Sequence, residues 1–320
     1  MSITVGIDVG GTKIAAGWTD ETGHLAGQQT APTPAAQGRA AILEQMMAVA
    51  RAAIAAAPEP VRAIGVATGG QVDVARGVVM SATGLLPGWS GLNLRAELEA
   101  ALHLPVAVDN DVKATGLAEV RIGAGRDKRH VLCVAVGTGI GGAIFIDGAI
   151  YRGAGGFAGE VGHIPIKVNG RPCTCGNRGC IEAYASGPAL ARDFARRAGR
   201  ARLRSWFGKE PGDITALDVA HALTGDNVEA RDSARQAVAA TASLLGQVLG
   251  GLLNLLNPEI IVLGGGLTSG LGAIFIDSVR AGATQTALPP VRDLRIVPAA
   301  LGASAGVIGA ALVAREQYKV

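Results

Sequence analysis

The stretch that decides the fold is Val131-Leu132-Cys133-Val134-Ala135-Val136-Gly137-Thr138-Gly139-Ile140-Gly141-Gly142-Ala143-Ile144-Phe145-Ile146-Asp147-Gly148-Ala149-Ile150-Tyr151. Its first six residues are an apolar run that reads as a buried strand, in which Cys133 acts as a small hydrophobe. Gly137, Gly139 and Gly142 spell G-x-G-x-x-G, and Glu160 lies near the spacing of a ribose-binding acid. A dinucleotide-binding unit needs a helix directly after those glycines. Here residues 143–146 continue as a strand into Asp147-Gly148, a hairpin turn, and then into residues 149–151. The order is strand, turn, strand, so the nicotinamide reading fails. A glycine turn of this kind still offers backbone N–H groups and the Thr138 hydroxyl to a phosphate.

Working outward, the same grammar recurs twice. Thr4-Val5-Gly6-Ile7-Asp8-Val9 runs into Gly10-Gly11-Thr12-Lys13, and Glu259-Ile260-Ile261-Val262-Leu263 runs into Gly264-Gly265-Gly266. One strand followed by two glycines is most often only a turn; three such loops in one chain suggest close approach by a ligand. Asp8 ends its strand beside the first loop, where a carboxylate can hold hydrated magnesium. The glycines and the Thr12 hydroxyl would then face a polyphosphate. Between the strands, Leu43, Met46, Met47, Ala50 and Ile54 keep helical spacing before Pro58, as do Val238, Ala242, Leu245, Leu249, Leu252 and Leu256 before Pro258. Strands alternating with helices, in two halves that each open on a glycine loop, predict an α/β protein of two domains with a cleft between them. The expected division is 1–115, completed by the apolar 303–320, and 116–302.

A second cluster lies in Gly159-Glu160-Val161-Gly162-His163 and Cys173-Thr174-Cys175-Gly176-Asn177-Arg178-Gly179-Cys180-Ile181-Glu182. One imidazole and three thiols can close a tetrahedral zinc site through His163, Cys173, Cys175 and Cys180, structural because no position is left for water. The competing reading is a disulfide with one thiol left over. The opening Met-Ser-Ile-Thr-Val-Gly carries no secretory leader, so a cytoplasmic, reduced setting and zinc are expected. The ion would draw Glu160 and Glu182 into one small volume, where two carboxylates suit the hydroxyls of a neutral polyol.

Val108-Asp109-Asn110-Asp111 supplies the remaining chemistry. As an isolated tetrapeptide it would more often be a strand-end turn or a helix cap. A carboxylate beside an amide can also orient an alcohol and take its proton as the oxygen attacks phosphorus, which makes Asp111 the candidate base and Asn110 its companion.

Composition bounds the alternatives. A chain of 320 residues, 49% hydrophobic, can bury two cores. Charged residues are 17% and the formal net charge is +3, with no basic stripe interleaved with aromatics, so no nucleic-acid partner is expected. Arg192, Arg196, Arg197, Arg200, Arg202 and Arg204 read as a solvated helix face. The apolar stretch 244–267 is broken by Asn254, Asn257, Pro258 and Glu259, so no membrane span is expected.

Taken together, Asp8 to Lys13, Asn110-Asp111, Gly137 to Gly142 and the block from Glu160 through Glu182 resemble the ROK family of repressors, open reading frames and kinases. The resemblance covers nearly the whole chain, and the zinc block is its most specific part. It implies two actin-like or hexokinase-like (ribonuclease H-like) domains that close over ATP and a hexose. It also implies sugar contacts by Gly70, Asn110, Asp111, Glu160, His163 and Glu182, with Asp111 as base, and ATP with magnesium on the glycine loops. His163 can serve zinc through one nitrogen and the sugar through the other. Lys113 and Ser304 stand where members often carry asparagine and aspartate. Motif wording around residues 68–72, 102–111 and 179–187 is closest to the family's N-acetylmannosamine kinases, so phosphorylation of the 6-hydroxyl of N-acetylmannosamine is expected, with glucose the alternative. Family repressors carry a helix-turn-helix module ahead of this fold, for which no room is expected before residue 10. A sugar-binding protein without activity would be expected to lack the base or a phosphate loop. The resemblance implies a dimer or tetramer.

Overall fold

A computed structural model describes residues 2–320 except Thr83 and Leu294. In chain order its elements begin β1 (Ile3–Val9), β2 (Lys13–Thr19), β3 (Leu25–Pro32), α1 (Arg39–Ala55), β4 (Val61–Thr68), β5 (Gln71–Asp73), β6 (Val78–Ser81), α2 (Leu94–Leu102), β7 (Val106–Asn110) and α3 (Asp111–Ile122). There follow β8 (Val131–Val136), β9 (Ile140–Ile146), β10 (Ala149–Tyr151), α4 (Glu182–Ala185), α5 (Gly187–Ala198), α6 (Arg200–Phe207), α7 (Ala216–Thr224) and α8 (Val228–Leu256). The chain closes with β11 (Ile260–Gly264), α9 (Gly266–Leu271), α10 (Ala273–Thr286), β12 (Arg295–Pro298) and α11 (Ala305–Tyr318). It forms two compact units, one of Met1–Asp127, Ala143–Gly159 and Ala300–Val320, the other of Lys128–Gly142 and Glu160–Ala299.

The first unit is built on a sheet of order β3-β2-β1-β4-β7. β1, β2 and β3 form an antiparallel meander, while β4 and β7 continue parallel to β1. A strand covered on both faces must be apolar throughout, and Ile3, Val5, Ile7 and Val9 of β1 are all fully buried. On one side α1 packs against β2 and β3. It buries Ile42, Met46, Val49, Ala50 and Ala53, whereas Leu43, Met47 and Ile54 of the expected stripe are only partly covered. Met46 and Ala50 of the expected stripe face the sheet, and its outer members give way to Ile42, Val49 and Ala53. On β1, β4 and α3 lies α11, in which every residue from Ala305 to Ala314 is buried. Its backbone touches the sheet directly: a methyl group at Gly6 or Gly65 would collide with the carbonyl of Val307 or Ala310, and one at Gly309 with that of Ala114.

In the second unit β8, β11 and β12 run parallel, with Val131 opposite Ile260 and Ile260 opposite Arg295. Cys133 is buried in β8, opposite Val262. β9 returns through Asp147 and Gly148, both at positive φ (54° and 76°), to pair with β10, as the hairpin reading requires. Glu259 does not extend β11. Its carboxylate instead accepts the N–H groups of Arg129 and His130 at 2.6 and 2.9 Å, tying down the entry to β8. The 29-residue α8 starts upstream of the interruptions at 254–259 and is, by length and composition, apolar enough to cross a membrane. Here it packs among α5, α7 and α10, and at Gly246 and Gly250 any side chain would strike the backbone of α10.

Candidate functional site

In the first unit the parallel registers align Asp8 with Ala67 and Asp109, and Val9 with Thr68 and Asn110. The carboxyl ends of β1, β4 and β7 thus deliver Asp8, the loop at 69–70 and Asn110-Asp111 to one edge, where open α/β sheets bind ligands. The turn after β1 is a hairpin turn: the Gly10 N–H donates to Lys13 O at 2.9 Å and the Thr33 hydroxyl donates to Gly10 O at 2.6 Å. Thr12 and Lys13 are exposed on it.

Asn110 caps α3, its Oδ1 accepting the N–H groups of Val112 and Lys113 at 3.0 and 3.1 Å. Its amide N–H2 donates to Gly70 O and to Asp111 Oδ1, both at 3.0 Å. The cap and the tether of Asp111 are therefore one residue's work. Asp111 opens α3, where the helix dipole favours an ionised carboxylate, and its Oδ1 also accepts the Val112 N–H at 2.8 Å. Gly70 has φ +104° and no space for a Cβ against Ser81 O, so its carbonyl is held in place for Asn110. Asp8 is half-buried, and that burial together with the charge of Asp111 raises its pKa to about 6 against the opposing pull of Lys13. The charge of Asp111 thus disfavours ionisation of Asp8, and two carboxylates so placed form a donor set suited to a hard divalent cation.

In the second unit the loop after β8 is closed by the Gly137 N–H donating to Gly139 O at 2.9 Å, and the Gly187 N–H at the start of α5 donates to Gly137 O at 2.8 Å. A cavity of about 700 Å³ opens here, lined by Gly137, Thr138, Ala191, Leu217, Gly266 and Leu271 among others. Gly265, at φ +89°, presses on the backbone of Val136, which brings the third glycine loop against the second. Gly264 to Gly266 and Gly137 to Gly139 therefore share one end of this sheet.

The ligand atoms of His163, Cys173, Cys175 and Cys180 all lie within 4.8 Å of one another. The Cys175 and Cys180 sulfurs are 3.8 Å apart, and Cys173 Sγ is 3.7 Å from His163 Nδ1. Four ligands about 2.3 Å from a common ion would stand roughly 3.8 Å apart, whereas a disulfide needs about 2.05 Å. The set therefore fits zinc and is not a disulfide. Burial pushes the Cys180 thiol up to about 12 and raises Cys173, while Cys175, despite its own desolvation, is lowered by hydrogen bonds from the Asn177 N–H and its neighbouring thiols. Thiols so reluctant to ionise together need a cation to become ligands. The other nitrogen of His163, Nε2, faces Glu160 Oε2 at 3.9 Å. Glu182 joins the zinc loop to the glycine loop: Oε1 accepts the Thr174 hydroxyl at 3.0 Å and lies 3.7 Å from Cys173 Sγ, and Oε2 accepts the Ile140 N–H at 2.9 Å.

Two contacts around the capped pair carry no local signal. Arg152 grips Asp109 bidentately, and Lys113, 5% exposed, extends its ammonium to Gly156 O at 2.5 Å. Both partners lie 43 residues away in sequence, beyond the reach of any periodicity.

The sequence profile described as the ROK family matches residues 4–317. A glucokinase of Streptomyces coelicolor is 36% identical over 331 residues, covering 99% of this chain and 98% of its own. The crystal structure of a ROK family glucokinase from Streptomyces griseus in complex with glucose and AMPPNP is 32% identical with TM-score 0.85, covering 98% of this chain and 100% of that one. A Listeria monocytogenes protein described as a candidate N-acetylmannosamine kinase is 25% identical with TM-score 0.80, covering 99% and 100%.

Proposed function

Because the chain belongs to the ROK family, we propose that it is an ATP-dependent hexose kinase acting on the sugar 6-hydroxyl. The observation that carries this reading is end-to-end similarity to a glucokinase, 36% identical over 99% of the chain, in a protein that keeps both glycine loops and the capped Asn110-Asp111 pair. Asp111 takes the proton of the sugar hydroxyl, whose oxygen bonds to the γ-phosphorus as the bond to the bridging oxygen of ADP breaks. Asn110 holds the Asp111 carboxylate in the acceptor geometry, with Gly70 anchoring the amide. The carboxylates of Glu160 and Glu182 and the His163 ring accept and orient further sugar hydroxyls.

The backbone N–H groups at Gly11, Thr12, Thr138 and Gly139 would face phosphate oxygens, while Gly10 and Gly137, whose own N–H groups close the loops, permit close backbone approach. Lys13 adds charge, and the cavity bounded by Gly264 to Gly266 and Leu217 would take the nucleoside. Asp8 would hold magnesium, which offsets charge on the transferring phosphoryl group. His163, Cys173, Cys175 and Cys180 would hold zinc, which stiffens the loop bearing Glu160 and Glu182. Reduced thiols at that site accord with a cytoplasmic enzyme.

Between sugars, the glucokinases lend glucose at least as much support as motif wording lends N-acetylmannosamine, and glucose is the first substrate to test. N-acetylmannosamine remains the second reading on the strength of the Listeria monocytogenes structure. An ADP-release assay with ATP and magnesium against glucose, N-acetylmannosamine, N-acetylglucosamine, mannose and fructose ranks them by kcat/KM. No turnover with any of them, alongside measurable sugar binding, would leave a sugar sensor and overturn the kinase.

A further inference from the structure

A second cavity of the second unit, about 740 Å³, is lined by Arg171, Arg192, Arg196 and Arg200, with Pro172 and Pro211 beside them. The charges there do not balance. Asp193 is shared by Arg196 and Arg197 at 2.5 and 2.6 Å, and Glu210 by Arg200 and Arg204 at 2.7 and 2.5 Å. Among the described residues, Arg171 and Arg192 pair with no carboxylate. Their guanidiniums converge on one neutral oxygen, Ala183 O, at 3.3 and 3.1 Å, and Arg171 is further held over the Tyr184 ring at 4.8 Å. Asp213, exposed and next to the lining Gly212, pairs with none of them. Of the four guanidiniums that line the groove, Arg196 and Arg200 are thus paired with carboxylates and Arg171 and Arg192 are not. Arg196 and Arg200 are 67% and 65% exposed, as on a solvated helix face, yet with Arg171 and Arg192 they ring a concave surface.

We propose that this groove is a binding site for a phosphate-bearing anion. Arginine forks match phosphate oxygens bidentately, and a dianion would relieve the repulsion between the two guanidiniums that now share one carbonyl. Four forks around a space of this size suit a phosphate or phosphomonoester better than a single small halide. The site is wired to the rest of the unit. α5 carries Arg192, Ala195 and Arg196 on the groove and Pro188 and Ala191 on the glycine-loop cavity, while residues 211–212 line the one and 214–217 the other. The shared carbonyl belongs to Ala183, the residue after Glu182. An anion that draws the guanidiniums off that carbonyl therefore acts on the helix carrying Glu182.

The test is calorimetric titration of inorganic phosphate, and separately glucose 6-phosphate, into the zinc-loaded protein at fixed ionic strength with AMPPNP saturating the glycine-loop cavity. The expected result is one anion per chain, weakened about tenfold or more in Arg192→Gln/Arg196→Gln and by less in Arg192→Lys/Arg196→Lys, which keeps the charge and loses the fork. Tighter binding of glucose 6-phosphate identifies a monoester as the ligand; equal or tighter binding of inorganic phosphate identifies the free ion. Should the double glutamine variant not fold, judged by zinc content and thermal melting, exposed Arg200→Gln carries the same expectation. Undiminished phosphate affinity in a folded glutamine variant, or no binding by the wild type, overturns the proposal. The arginine variants read the groove whether or not AMPPNP binds, so failure of the kinase reading shows separately.

Discussion

Arg152 holds Asp109 through two nitrogen–oxygen pairs at 2.9 and 2.6 Å, and the aspartate it holds is only 1% exposed. Asp109 Oδ1 also accepts the N–H of Asn110 at 2.8 Å, so this ion pair underlies the residue that tethers Asp111. Arg152→Ala leaves a carboxylate buried without its partner. Its cost is expected at about 2–3 kcal/mol, below the roughly 3–5 kcal/mol of a fully buried pair because Arg152 keeps partial contact with water. Urea unfolding measures it, and kcat should fall more than sugar affinity because Asn110 loses its support.

Asp111→Asn keeps the shape and removes the proton acceptor. Turnover should drop about 100-fold to 10,000-fold while sugar binding persists. Turnover within a few-fold of wild type would remove Asp111 from the proposed mechanism.

The loop bearing Cys173 and Cys175 and the strand after the glycine loop meet at Glu182, through the Thr174 hydroxyl and the Ile140 N–H. Metal analysis is expected to find one zinc per chain, and Cys175→Ser should lower both zinc content and sugar affinity. Sugar affinity that survives chelation would break the proposed coupling, because Glu182 would then be held by Ile140 alone.

Asp8 supplies a pH signature. Its folded pKa is about 6 and its ordinary value 3.8, so between those two pH values the native state keeps a proton that the unfolded chain releases. Stability of the metal-free protein therefore falls as pH rises through 4 to 6 and is flat above, by something on the order of 2 kcal/mol for a half-buried group. Relative to wild type, Asp8→Asn should gain stability across that window in denaturant titrations. Magnesium should restore wild-type stability at pH 7 but not at pH 4.5, where Asp8 is protonated.

Legibility followed range. Where a feature depends on neighbours in sequence, the residues announced it: Asp147-Gly148 demanded a hairpin, and asparagine at the end of an apolar run made a helix cap. Burial phase was less legible in α1, since Leu43 and Ile42 are equally apolar and only the sheet beneath selects between them. The excursion through β5 and β6 passed unread because strands of three and four residues show no period. Partnerships across tens of residues left no trace, as with Arg152 and Asp109, Lys113 and Gly156, or Glu182 and Ile140. A charged residue states that it needs a partner and does not say which. The six arginines read as a solvated helix face are for the most part exposed, as that reading expects, and helical spacing does not say that three of them, Arg192, Arg196 and Arg200, ring a concave surface with the distant Arg171.

The contact of α11 with Gly6 and Gly65 sets an order of events during synthesis. β1 is roofed by a helix encoded far downstream of it, so its sheet stays open on one side until residues 305–318 have been made. Residues 160–299 have no such wait, and the later-coded half of the protein can be complete while the earlier-coded half is still exposing its apolar strands to chaperones.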